Sequence, residues 1–301
     1  MKGAMKGAMS DIRFDNRVAV ITGAGGGLGR TYALYLAQRG AKVVVNDLGG
    51  SADGNKDSMD NSRAEQVVAE IKKAGGEAVA NHDSVATAAG GQAIIQSALD
   101  NYGKVDIVIN NAGILRDKSF LKLEPIDIES LIDVHLKGAF YVTQPAFKNM
   151  RDNGYGRIIL TASGAGVFGN FGQSNYAAAK MGLVGLANVL ALEGAKYNIK
   201  TNVVTPIART RLTENIMGET GDAFAPEHIT PLVAYLVSEE SQSNHEIFNV
   251  GAGRYSRIFI ASAPGWTAPA GKFASVEEVR DNIEKIRDTR EYKIPHNAVE
   301  A

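Results

Sequence analysis

The sequence predicts an α/β fold, a doubly wound parallel sheet with helices on both faces. Three observations point there. Short β-branched runs alternate with helical periodicity from about residue 17 to residue 253, and such alternation builds βαβ units around a parallel sheet. The strand runs are continuously apolar, as in VAVIT at 18–22 and KVVVN at 42–46, which suits strands covered on both faces. No linker-like stretch interrupts the run before residue 253. It therefore reads as one domain, although 301 residues also leave room for two.

The elements follow in order. Residues 18–22 are the first strand, 23–29 a glycine-rich turn, and 28–38 a helix closed by Gly40. Residues 42–46 are the second strand, 48–60 (LGGSADGNKDSMD) a long polar loop, and 63–74 an amphipathic helix stopped by Gly75 and Gly76. A weaker third strand at 77–81 precedes a helix at 91–102. The fourth strand is 105–110 (VDIVIN), followed by a long helical stretch at 128–150 and a fifth strand at 157–161. An Ala-, Leu- and Gly-rich helix spans 176–197, with a sixth strand at 200–205, a helix at 231–237 and a seventh strand at 245–250. About seven strands are thus expected. Beyond them, 255–262 is a candidate extra strand, 267–273 is loop-like, and 275–288 reads as a helix with Ser275 as N-cap and Glu277 and Glu278 in its first turn. The expected organisation is a flexible leader at 1–14, one domain at 15–253 and a C-terminal extension at 254–301.

Composition excludes several functions. Apolar residues make up 45% and charged residues 22%, which is ordinary for a globular protein. A net charge of -1 supplies no field to draw nucleic acid or an anionic membrane. No window approaches the roughly 18 consecutive apolar residues of a membrane span. The absence of cysteine rules out disulfides, thiolate metal sites and a Cys nucleophile. Five histidines are scattered without a metal-binding spacing, so no metal is expected. MKGAMKGAM lacks the apolar core of a signal peptide, and the end, NAVEA, carries no peroxisomal tripeptide. A cytoplasmic location is expected.

Candidate site residues cluster at strand ends. TGAGGGLG at 22–29 follows a strand and opens a helix. Taken alone it is also a tight turn. In that context, however, Thr22, Gly23, Gly27, Leu28 and Gly29 fit a loop that brings backbone N–H groups to a pyrophosphate at a helix N-terminus. Asp47, 18 residues beyond Gly29, stands near the spacing of a carboxylate that binds the adenosine ribose. An acid there repels a 2′-phosphate, so NAD is expected over NADP. Asp83 and Ser84 after the third strand, and Asn110, Ala112 and Gly113 after the fourth, lie at the edge where open α/β sheets bind ligands.

Tyr176 and Lys180 stand four apart and share one helix face. Alone, such a pair reads as helix surface. Ser163 follows the fifth strand and so lies at the same edge of the sheet as the nucleotide loop. Together the three form an acid–base centre: an ammonium favours the phenolate of a neighbouring Tyr, and the phenol exchanges a proton with an alcohol oxygen while a nicotinamide takes or gives a hydride.

These residues carry a family resemblance. TGAGGGLG, Asn110-Asn111-Ala112-Gly113, and Ser163 with Tyr176-x-x-x-Lys180 resemble the TGxxxGxG, NNAG and Ser/Tyr-x-x-x-Lys motifs of the short-chain dehydrogenase/reductase family over about residues 15–253. The resemblance implies a seven-stranded Rossmann-type fold, NAD(P)-dependent oxidoreduction and a homodimer or homotetramer. VVVNDLGG, NNAGILRDKSF, DVHLKGAF and GNFGQSNYAAAK are similar to a narrower group, the (3R)-hydroxyacyl-CoA dehydrogenase units of type 2 peroxisomal multifunctional enzymes, with 17β-hydroxysteroid dehydrogenase type 4 relatives. That implies oxidation of a (3R)-3-hydroxyacyl-CoA to the 3-oxoacyl-CoA, a step of fatty acid β-oxidation, with steroid-derived thioesters included. The chain lacks the hydratase and sterol-carrier parts, so a stand-alone unit is expected. Other readings are a hydroxysteroid or general carbonyl dehydrogenase, and an NAD-binding scaffold without turnover.

The resemblance has departures. His135 stands where most of the family has an Asn that helps hold a water chain to the Lys, although the narrower group shares the His. The family's Pro-Gly after the sixth strand is Pro206-Ile207. Pro206 and Thr210 are expected at the nicotinamide. Phe168, Asn170, Phe171 and Gln173, between Ser163 and Tyr176, are expected to line the substrate entrance, with loop packing as the other reading. Substrate choice is expected to sit in loops 164–174 and 207–226 and in the extension.

Overall fold

The computed structural model describes residues 11–54, 60, 62–213 and 221–301. The expected leader therefore lies mostly outside the described residues, as do parts of the polar loop at 48–60 and of the loop at 207–226. Two compact units form the chain, one ending at Arg257 and one running Ile258–Ala301.

The first unit is built on one sheet. Its strands are β1 (Val18–Thr22), β2 (Lys42–Asn46), β3 (Glu77–Asn81), β4 (Ile107–Asn110), β5 (Gly156–Thr161), β6 (Ile199–Ile207), β7 (Ile247–Gly251) and β8 (Arg254–Ile258), in the spatial order β3-β2-β1-β4-β5-β6-β7-β8. From β3 to β7 every pairing is parallel. The eighth strand falls on the candidate extra strand at 255–262 and stops earlier, at Ile258. Ala252 and Gly253 both take positive φ, 48° and 73°, so a two-residue turn of primed type joins β7 to β8, and only antiparallel strands accept so short a link.

Both faces of the sheet are apolar. Ala19, Ile21, Val43, Val45, Ile107, Ile109, Ile159 and Val204 pack with Tyr32, Leu36, Val67, Ile71 and Val233. These belong to helices α1 (Gly27–Gln38), α2 (Ser62–Lys73) and α8 (Thr230–Leu236). The alternate strand residues Val20, Val44, Val108 and Ile158 are buried too, on the face covered by α3 (Ala88–Tyr102), α5 (Gly138–Asn153) and α7 (Ser174–Gly194). Burial on both sides explains why the strands do not alternate in sequence. Among the described residues one helical stretch, Ser174–Tyr197, is long and apolar enough by length and composition to cross a membrane, but it contains α7, which lies on β5 and β6.

The helical stretch expected at 128–150 is three pieces. Helix α4 (Pro125–Ile132) starts at Glu124, whose side chain caps it reciprocally with Asp127. A single π turn, Asp133–Lys137, joins it to α5. An added helix, α6 (Gly164–Phe168), forms inside the expected loop because the Ser163 hydroxyl caps it by accepting from Ala165 N–H.

In the second unit, the helix expected at 275–288 is two short helices, Val276–Asp281 and Ile283–Ile286, with Asn282 between them. Ser275 caps the first as expected, in a capping box with Glu278. Phe259 stacks on Tyr292 beside an antiparallel bridge between Ser262 and Lys293.

Candidate active site

A cleft of about 1620 Å³ runs along the carboxyl ends of the strands. Its floor at one end is the turn between β1 and α1. A Cβ on Gly29 would stand 2.3 Å from the Gly23 carbonyl oxygen, so only glycine allows the helix to start this close to the strand. No side chain caps α1, and its first-turn N–H groups are the free donors of a helix N-terminus. Gly23, Gly27 and Leu28 line the cleft, together with Asp47, Asp83, Ser84, Ala112, Gly113, Pro206 and Thr210.

Thr22 and Asn110 do not line the main cleft. Thr22 is buried, and its hydroxyl accepts from the N–H groups of Asn111 and Ala112 at 3.1 Å. Asn110 turns inward, where its amide donates to the Thr143 hydroxyl at 2.9 Å. The residue missed in the sequence is Asn111. Its amide donates to the carbonyl oxygens of Thr22 and Gly23 at 3.0 and 3.1 Å, tying the glycine turn to the end of β4. The doubled Asn was visible; its alternation was the signal, since successive residues at a strand end point to opposite sides.

The Asp47 carboxylate is held by two backbone donors. One oxygen accepts from Gly25 N–H at 2.9 Å and the other from Gly49 N–H at 2.8 Å. This fixes a negative charge beside the turn. Asp83 and Ser84 stand on the neighbouring strand end, where Asp83 accepts from the Asn81 amide at 2.7 Å.

At the other end, β5 delivers Ser163, and α7 delivers Tyr176 and Lys180 on successive turns of one face. All three line the cleft. The Lys180 ammonium donates to the Thr161 carbonyl and lies 5.5 Å from the Tyr176 ring centroid. Burial acts against the charged form of each group. Burial pushes Tyr176 up to about 12, against a hydrogen bond with Ser163 that acts downward, and the Asp117 carboxylate adds to the rise. Burial also brings Lys180 down to about 7. Desolvation opposes both charged forms.

His135 sits on the π turn, buried, with its ring edge-on to Tyr176 at 5.3 Å. A Cβ on Gly113 would meet this ring at 2.5 Å, so the glycine after Asn111 and Ala112 makes room for the imidazole. At the mouth, Gln173 donates to Asp117 at 2.7 Å and accepts from Asn170 at 2.9 Å. Asn170 and Gln173 line the cleft. Phe168 and Phe171 do not: they project outward, 76% and 92% exposed, Phe168 at the end of α6 and Phe171 in the turn after it.

The uncapped helix start, the glycine turn and the fixed carboxylate suit a dinucleotide. The hydroxyl, phenol and amine at the far end suit proton exchange with an oxygen placed between them. Residues 17–219 match the family model described as short chain dehydrogenase. The chain is 47% identical over 285 residues to peroxisomal multifunctional enzyme type 2 of Mus musculus, covering 93% of this chain and 38% of that one. It is 37% identical over 250 residues to a hydroxyacyl-CoA dehydrogenase of Mycobacterium tuberculosis, covering 78% and 77% of the two. Among solved structures it resembles a short chain dehydrogenase from Mycobacterium avium, with a TM-score of 0.79 and 39% identity over 91% of this chain and 97% of that one. The chain spans well under half the length of the multifunctional enzyme.

Proposed function

Because the chain belongs to the short-chain dehydrogenase/reductase family of oxidoreductases, we propose that it interconverts a (3R)-3-hydroxyacyl-CoA and the 3-oxoacyl-CoA, with NAD as cofactor. One observation carries the reading: Ser163, Tyr176 and Lys180 line the same cleft as the glycine turn and Asp47. The substrate class follows from the similarity to a hydroxyacyl-CoA dehydrogenase and to the multifunctional enzyme.

The first turn of α1 would hold the pyrophosphate, with Asp47 on the adenosine ribose, Asp83 and Ser84 near the adenine, and Pro206 and Thr210 near the nicotinamide. The bound nicotinamide supplies the hydride acceptor in the direction of oxidation. Ser163 donates its hydroxyl proton to the substrate oxygen and orients it. Tyr176, as phenolate, takes the alcohol proton; in reduction the phenol returns it. Since burial disfavours the phenolate, it forms only when positive charge is close to the ring, and Lys180 supplies part of that charge. Asp47 favours NAD because its fixed carboxylate repels a 2′-phosphate.

The substrate reading is tested by steady-state NADH formation on (3R)- and (3S)-3-hydroxyacyl-CoA and on a 17β-hydroxysteroid. Turnover of the (3R) thioester is expected to dominate. Turnover of the steroid alone, or of none of the three, contradicts the substrate class and leaves the fold untouched.

A further inference from the structure

The loop that leaves β2 is seated on the end of another strand. Asp47 begins it, with a carboxylate that accepts from Gly49 N–H at 2.8 Å. Gly49 takes a φ of 80°, and a Cβ there would stand 2.5 Å from the Asp60 carbonyl oxygen. Residues 50–54 reach the segment that follows β4. There the Leu115 N–H donates to the Ala52 carbonyl, and the Arg116 Nε–H to the Asp53 carbonyl, each at 2.9 Å. Gly54, with a φ of 79°, lies against Ile114, whose side chain a Cβ would meet at 3.0 Å. Gly50, Asp53 and Gly54 line the cleft on the loop side of this seam, and Ile114, Leu115 and Arg116 on the other.

Arg116 is itself fixed from behind. Its guanidinium lies 3.6 Å from the Asp127 carboxylate of α4, which is buried. Its carbonyl oxygen accepts from the Asn175 amide at 3.1 Å, and the same amide donates to the Asp127 carbonyl at 3.0 Å. Asn175 is buried on α7, one residue before Tyr176. Arg116 therefore ties the loop after β2 to a base made of α4 and α7.

On the dinucleotide reading of the cleft, we propose that Arg116 is a positioning residue for the cofactor: it holds residues 50–54 as a wall on the adenosine side, next to Asp47. A wall in place before the ligand arrives spares the cost of ordering it on binding. The bond that holds it has a charged donor, which makes it stronger than a neutral one. An arginine lining this cleft could instead serve the phosphates of an acyl-CoA. Its Nε–H, however, is spent on Asp53, and its guanidinium faces Asp127. Both bonds turn it to the loop and to α4, so its effect belongs to the dinucleotide and not to the thioester.

The test is calorimetric binding of NADH and of ADP-ribose to the full chain and its variants. Arg116→Met removes the guanidinium. Gly54→Ala strains a positive φ and sets a Cβ against Ile114, so it opens the same seam from the loop side. Each variant is expected to weaken NADH and ADP-ribose alike, by about three- to tenfold, the worth of one such hydrogen bond. The double variant is expected to lose less than the product of the two, because both break one seam. A merely structural role lowers the urea midpoint and leaves both affinities of the folded protein unchanged. Unchanged affinities, a loss for NADH that ADP-ribose does not share, or losses that multiply overturn the proposal. If Arg116→Met does not fold, Gly54→Ala decides alone by the same two affinities. Binding is read without turnover, so a wrong acyl substrate leaves the result standing. A parent chain that binds neither ligand defeats the dinucleotide reading and this proposal with it. Parent binding with unaltered variants defeats this proposal alone.

Discussion

The two edges of the sheet bury polar groups for opposite ends. At the amino edge, Asp106 accepts from Val18 N–H at 2.8 Å and pairs with Arg17 and Lys104 at 2.9 Å. Arg17 and Arg157 sandwich the Tyr155 ring at 3.6 and 4.3 Å, and Arg157 gives its guanidinium to the carbonyls of Ser238, Gly156 and Asn198. Asp106 has two matching cations, and the network joins β1, β4 and β5; burial lowers Arg157, which has carbonyl partners, and the Tyr155 hydroxyl is buried without a partner among the described residues. At the carboxyl edge, burial holds Tyr176 and Lys180 against their charged forms, and His135 Nδ1 has no partner among the described residues. The difference is access: the groups at the carboxyl edge line the cleft, where a substrate oxygen can reach them.

Changes at each edge should therefore separate stability from activity. The largest effect on folding is expected for Asp106→Ala, which leaves the buried Val18 N–H without its acceptor and removes a partner of Arg17 and Lys104; it should cost about 1–3 kcal/mol. Urea unfolding measures this, while turnover per folded molecule should be unchanged. Lys180→Met should act in reverse, abolishing turnover yet stabilising the fold by about 1–3 kcal/mol near neutral pH. Lys180 is brought down to about 7 in the folded chain, so the penalty for burying its charge is full below that pH. It is relieved as pH rises towards the unfolded value, and the difference in unfolding free energy between variant and parent should shrink over that alkaline range. A difference independent of pH contradicts the buried-amine description. The smallest effect is expected for Asp47→Ser. Binding titrations should show the NADP/NAD affinity ratio rising about tenfold, roughly 1.4 kcal/mol, with the fold unaffected.

The contrast also explains what could be read from the chain. The strands, the glycine turn and the spacing of Ser163, Tyr176 and Lys180 were legible because they depend on short-range patterns. Strand periodicity is carried by neighbours such as Val43, Val44 and Val45, and a pair four apart must share a helix face. The network of Arg17, Asp106 and Tyr155 was not legible, since its members meet across 89 residues with no local signal. The inward turn of Asn110 and the outward turn of Asn111 depend on how β4 ends. The outward Phe168 ends a five-residue helix hidden in a glycine-rich stretch, and Phe171 sits in the turn after it. Sign was the hardest to read at the centre itself: adjacency suggested that Lys180 lowers Tyr176, but burial, which spacing does not report, acts the other way.

The most direct measurement is single-turnover NADH formation by Tyr176→Phe on the (3R)-hydroxyacyl-CoA, with NADH affinity measured beside it. Removing the phenolic oxygen should slow the step by about 10²–10⁴-fold while NADH binds as before. Turnover at the parent rate with normal NADH binding contradicts the role of Tyr176 as the proton-transfer group.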